Sequence, residues 1–139
     1  MLNINEIKLI YQPCKLSCSA ACIAMVTGHD VFDIINKLHA LFGADPPYAQ
    51  EFTMKFLVRQ NILPISNQQL LGSVFIPDSI NLVTVQSPAQ AGGLHHIILT
   101  LDEEGEVKIF DPAINKKYTN FNDVDKKIID SCRLVDCSY

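Results

Sequence analysis

The chain reads as an α+β domain, with N-terminal helices packed on a C-terminal antiparallel sheet. Up to about residue 57, apolar side chains recur at helical spacing between glycine and proline breaks. Residues 81–137 instead fall into short runs rich in Val, Ile and Leu, separated by turn residues. Helices first and strands second imply segregated layers. The length of 139 residues and the 48% hydrophobic content suit a single domain over 1–139 with a real core.

The first segment, to about Tyr11, alternates weakly and is expected to be a strand or an extended arm. Gln12-Pro13 ends it, since proline biases the preceding residue away from helix. Ser17 to about Thr27 is crowded with small and apolar residues and predicts a helix, with Ser17 as its N-cap and Gly28 as its stop. It is apolar nearly all round, so it should be buried. A second helix follows Asp30, with Val31, Ile34, Ile35, Leu38 and Leu41 or Phe42 on its apolar face and Gly43 at its end. Asp45-Pro46-Pro47 is expected to start a third helix carrying Phe52, Phe56 and Leu57. Pro64 and Pro77 make the stretch from Ile62 to Ser79 read as irregular. Asn81 to Gln86 predicts a strand, Ser87 to Gly93 a loop, His95 to Leu101 a second strand and Glu106 to Phe110 a third. The turn between the last two is Asp102-Glu103-Glu104-Gly105. Phe121 to Ile129 predicts a short helix, and Cys132 to Cys137 a last strand.

The net charge is -4 at pH 7, and the chain lacks the basic stripe that phosphates attract, which disfavours nucleic-acid binding without removing a local basic pocket. No apolar run approaches the roughly 20 residues that span a bilayer, so no membrane insertion is expected. The N-terminus lacks a basic region followed by an apolar stretch. As it stands the chain is expected to be cytoplasmic; an excised domain of a longer secreted or membrane protein fits as well. The five cysteines, Cys14, Cys18, Cys22, Cys132 and Cys137, are odd in number and irregular in spacing, a poor disulfide framework and a poor zinc site. Reduced thiols suit a reducing compartment, and no cofactor is expected.

Three features meet the needs of nucleophilic catalysis. Cys18 stands at the start of a buried helix, where the helix dipole and free N–H groups favour thiolate. Gln12, six residues earlier, is within reach to donate its amide to an oxyanion beside the sulfur. A β-hairpin brings the start of one strand close to the end of the next, so a histidine near residue 95 meets Asp111. With glycine third in the loop 103–105, a three-residue turn pairs residue 102 with 106. That puts His95 and Asp111 on one face and His96 on the other; a two- or four-residue loop would reverse this.

Each residue has a plainer reading. Free cysteine is among the most buried residue types, and Cys14 and Cys22 are read as structural, with Cys22 facing the core. Asp111-Pro112 alone is an ordinary strand-end turn. His39 reads as surface or as a satisfied core residue, and the run Asp102-Glu103-Glu104 as a solvated hairpin tip. What favours chemistry is the order Gln12, Cys18, His95, Asp111.

The segment Gln12-Pro-Cys-Lys-Leu-Ser-Cys18-Ser-Ala-Ala-Cys-Ile-Ala-Met, with His95-His-Ile-Ile-Leu and Phe110-Asp111-Pro112-Ala113, resembles the papain-like cysteine peptidases, most closely the C39-like (bacteriocin-processing) domains. In that pattern a histidine is usually followed by an aromatic residue, and the nucleophile lies in Asp-Cys-Gly; here the latter reads Ser17-Cys18-Ser19. The resemblance implies a papain-like fold, with Gln12 as oxyanion donor, Cys18 as nucleophile, His95 as base and Asp111 as its orienter. The expected activity is cysteine-dependent acyl transfer on a peptide or protein substrate, in the first place peptidase hydrolysis of an amide bond. The alternatives are a papain-fold toxin or effector domain (deamidase, transglutaminase-like, amidase or nuclease) with an immunity or inhibitor partner, and a non-catalytic binding module of the same fold.

Overall fold

The architecture follows from where the sequence places caps, stops and apolar faces. The computed structural model describes residues 2–67, 75–87, 92–114, 118–125 and 127–138. Helix α1 spans Cys18–Thr27, and Gly28, at φ 72°, donates its N–H to the Ala24 carbonyl to close it. Ser19 to Val26 are all buried, as an apolar circumference requires. Helix α2 spans Val31–Phe42. The Asp30 side chain accepts from Phe32 N at 2.8 Å, and Gly43, at φ 63°, ends it. Val31, Ile34 and Leu38 are its buried stripe, with Ile35 and Phe42 half-buried and Leu41 turned to solvent.

Helix α3 runs Gln50–Arg59, later than the Asp45-Pro46-Pro47 start expected. Pro47 keeps Pro46 out of the helical region, so no turn can form there. Asp45 instead pairs with the exposed His39 at 2.8 Å. The N-terminal segment holds a 3-10 turn at Ile4–Glu6 rather than a strand. It is tied down by Leu2 N donating to the Asp136 carboxylate at 3.0 Å.

Five antiparallel strands form one sheet in the order β1-β5-β2-β3-β4: β1 Ile62–Ser66, β2 Ser79–Gln86, β3 Leu94–Leu101, β4 Val107–Phe110 and β5 Ile128–Asp136. The chain is thus α+β, with α1 to α3 preceding the sheet, and a short α4 at Phe121–Asp125 ahead of the last strand. Two expectations change. Ile62–Ser66, read as irregular because of Pro64, is a strand; it lies at the sheet edge, where proline is tolerated. The helix expected to reach Ile129 stops at Asp125, and the β-branched Ile128 and Ile129 open β5. Residues 68–74 of the irregular stretch, and residues 88–91 of the loop expected over Ser87–Gly93, lie outside the described residues, and Ser79 already opens β2.

The sheet is covered on both faces. Ile80, Leu82 and Ile98 pack with Ala20 to Val26, Ile34, Leu38, Phe56 and Leu57 on the helix side. Val83, Val85, Ile97, Leu99 and Leu101 pack with Phe75, Tyr118 and Val124 on the other. This double burial explains why β2 and β3 carry adjacent apolar residues, Leu82-Val83 and Ile97-Ile98-Leu99, rather than a strict alternation. Among the described residues no single helix is long and apolar enough to cross a bilayer.

Ile98 is fully buried between α1 and the sheet. Replacing it by alanine should cost about 3 kcal/mol of stability in urea unfolding. A loss under about 1 kcal/mol would show that this layer is not the core on which the chain depends.

Candidate active site

Cys18 is the first residue of α1 and is half-buried. Ser17 occupies the N-cap position but does not cap with its side chain, contrary to expectation. Its hydroxyl is turned back onto Cys14, donating to the carbonyl at 3.0 Å and accepting from the N–H at 3.1 Å. The Ala21 N–H donates to the Ser17 carbonyl at 3.1 Å, the first bond of the helix. The N–H groups of Cys18, Ser19 and Ala20 therefore have no acceptor within the helix, and they project from the end that carries the thiol. Their partial positive charge favours an anion there.

The β3–β4 hairpin supplies the opposite wall. Asp102 N donates to Glu106 O at 3.0 Å, and Gly105 sits at φ 88°, so the loop holds three residues. The register sets Leu101 against Val107 and Ile98 against Phe110. It brings His95 and Asp111 together on one face: His95 Nε2 donates to Asp111 Oδ1 at 2.7 Å, and both side chains are buried. Ala113 N also donates to that oxygen, at 3.0 Å. The sequence-based choice of His95 over His96 as the partner of Asp111 matches this geometry.

The thiol interacts with two imidazoles. Cys18 Sγ lies 3.8 Å from Nδ1 of His96, and His95 also acts on the thiol electrostatically. Burial alone would push the Cys18 thiol up, but the hydrogen bonds and positive charge of His95 and His96 outweigh it and bring it down to about 5. Burial would likewise lower His95; the bonds to Asp111 and Cys18 overcome this and raise it to about 9. At neutral pH these values favour a Cys18 thiolate beside a His95 imidazolium.

Gln12 is held close to this region. Its N–H donates to the Pro112 carbonyl at 2.9 Å, beside Asp111, and its side-chain Nε2 donates to the Cys14 carbonyl at 3.0 Å. One N–H of the amide is left uncommitted among the described residues. Cys22 is buried one turn along α1 as expected, and burial raises its thiol well above the ordinary value. Cys14 is exposed, and its backbone N–H, its carbonyl and its thiol, at 3.4 Å, all bond the Ser17 hydroxyl to organise the turn before the helix. The five cysteines are free, and among the described residues no group of three or more His, Cys, Asp or Glu is arranged to hold a metal ion.

Ser19 and Tyr118 escaped the sequence reading, and His96, weighed there only as the other possible partner of Asp111, lies beside the thiol instead. Ser19 Oγ lies 3.4 Å from Nδ1 of His96. His96 points away from Asp111 as expected, but that direction leads to α1 and the thiol. Tyr118 stacks on the His95 ring, with centroids 6.4 Å apart and planes inclined by 20°, and its hydroxyl donates to the Gln86 carbonyl at 2.6 Å. The adjacent pair His95-His96 was a visible signal for His96; nothing local marks Tyr118.

If Asp111 holds the His95 proton, Asp111→Asn should lower the His95 titration, followed by ring-proton NMR, by at least about one unit. An unchanged titration would remove Asp111 from that role.

No protein-family model matches the chain. Among curated proteins it is similar to a lacticin-481/lactococcin-DR transport/processing ATP-binding protein of Lactococcus lactis subsp. lactis, at 25% identity over 128 residues. The alignment covers 86% of this chain and 18% of that protein, so the chain spans less than a fifth of the relative it matches.

Proposed function

We propose that the chain is a papain-like, C39-like cysteine peptidase that hydrolyses an amide bond of a peptide or protein through Cys18, His95 and Asp111. The observation that carries this reading is the 2.7 Å bond between His95 and Asp111, formed by a ring that also serves the Cys18 thiol. Similarity to a protein named for transport and processing supports it at a coarser level.

In this mechanism the Cys18 thiolate attacks the amide carbonyl carbon. The Cys18 N–H and the uncommitted N–H of Gln12 receive the oxyanion. The His95 imidazolium gives its proton to the leaving amine as the C–N bond breaks. Water then adds to the thioester, its proton passes to His95, and the C–S bond breaks with its electron pair returning to sulfur. Asp111 keeps the imidazole oriented and stabilises it when protonated.

Thiolate persists above about 5 and the His95 proton below about 9, so kcat/KM on an amide substrate should rise through the first value and fall through the second. The direct test is iodoacetamide alkylation at about pH 6, where an ordinary thiol of pKa about 8.5 barely reacts. Mapped by mass spectrometry, Cys18 should react first, at least about tenfold more slowly in His95→Ala. Cys18 reacting no faster than the buried Cys132 would overturn the nucleophile assignment. A reactive Cys18 that raises a substrate glutamine by one dalton without cleaving peptides would replace peptidase by deamidase. The departure from glycine at Ser19 makes that second activity worth the assay.

A further inference from the structure

We propose that His96 is a second hydrogen-bond donor to the Cys18 sulfur, shared with Ser19, and that it holds the thiolate through both halves of the acyl-transfer cycle. The proposal rests on Cys18 being the nucleophile.

The argument starts from the backbone. Neighbouring residues of a strand point to opposite faces. His95 belongs to the face where Asp111 and Tyr118 lie, and His96 to the face that packs on α1. Cys18, at the tip of α1, is thereby served from both faces of one strand. His96 is 6% exposed, and its two nitrogens differ. Nδ1 has Ser19 Oγ at 3.4 Å and Cys18 Sγ at 3.8 Å. Nε2 is buried with no hydrogen-bond partner among the described residues. A proton on Nε2 would be an unsatisfied buried donor, whereas a proton on Nδ1 finds two acceptors. The ring therefore carries a hydrogen on Nδ1, aimed between the hydroxyl and the sulfur.

This donor differs in kind from His95. The His95 proton leaves for the amine in acylation and is regained from water in deacylation. The Nδ1 hydrogen of His96 stays where it is. It supports the thiolate before attack and again when the C–S bond breaks and the electron pair returns to sulfur. Lowering the basicity of sulfur makes it a better leaving group in that second half. The titratable groups facing the sulfur are His95 and His96 from β3; Asp111 stands behind His95, and Cys22 lies one turn along α1. Of the two histidines, His96 is the one that does not exchange a proton with substrate.

The test is the pH dependence of Cys18 alkylation by iodoacetamide, resolved by mass spectrometry on the full chain, with folding checked by circular dichroism. His96→Phe keeps a ring and removes the donor; it should raise the apparent Cys18 pKa by about one unit. His96→Asn places an amide N–H where Nδ1 stood and should keep the wild-type value. Ser19→Ala leaves the N–H to sulfur alone and should lower the Cys18 pKa by about half a unit. A folded His96→Phe protein with the wild-type pKa overturns the proposal while leaving Cys18 as the nucleophile. Should His96→Phe fail to fold, a Cys18 pKa that is not lowered in Ser19→Ala overturns it equally. Ordinary thiol behaviour of Cys18 in the wild type would sink the nucleophile reading, and this proposal with it.

Discussion

The bond between His95 and Asp111 is possible in only one register of the β3–β4 hairpin. Gly105 accepts the positive φ that a three-residue loop demands, Asp102 then pairs with Glu106, and every residue beyond inherits its face from that pairing. A slip of one residue would turn Asp111 from His95 and deliver a carboxylate to the wrong side of the sheet. The register is further held by burial, because Ile97, Leu99 and Leu101 fill one core and Ile98 the other. Geometry at the site is thus inherited from packing several residues away.

The charges at the site form a chain of mutual dependence. The Asp111 side chain is fully buried, and a carboxylate in such a place needs a hydrogen-bonded partner, which His95 provides. The His95 imidazolium would be penalised by its own burial without that carboxylate on one side and the Cys18 sulfur on the other. The thiolate in turn draws on both histidines and on the uncapped N–H groups opening α1. Turning the Ser17 hydroxyl onto Cys14 leaves those N–H groups for the sulfur and whatever binds beside it. Tyr118 covers the His95 ring, screening the pair from water.

What the sequence disclosed follows the range of the physics involved. Local chemistry was legible: Asp30 caps α2, Gly28 and Gly43 stop α1 and α2, and Gly105 identifies the loop that unites His95 with Asp111. The apolar circumference of α1 announced its burial. Features set by distant partners were not legible. Pro64 argues against a strand until β1 is known to lie at an edge beside β5. The start of β5 at Ile128 depends on its pairing with Val85, and the capping role expected of Ser17 was lost to Cys14. The contact between Ser19 and His96 joins residues 77 positions apart, and both depart from the pattern that the chain resembles. Alternation correctly sent His96 away from Asp111 but could not say that α1 waits on that side.

The strand order has a consequence for how the molecule is made. The strand β5, synthesised after the other four, lies inside the sheet, between β1 and β2. Until residues 128–136 have left the ribosome, β1 has no neighbour at all and β2 presents a bare edge lined by Leu82, Val83 and Val85. The hairpin that builds the site can close during that interval, since β2, β3 and β4 are consecutive in sequence. The nascent chain therefore passes through a state with the otherwise buried strand β2 open to pairing with other chains, the condition in which edges aggregate and chaperones are needed.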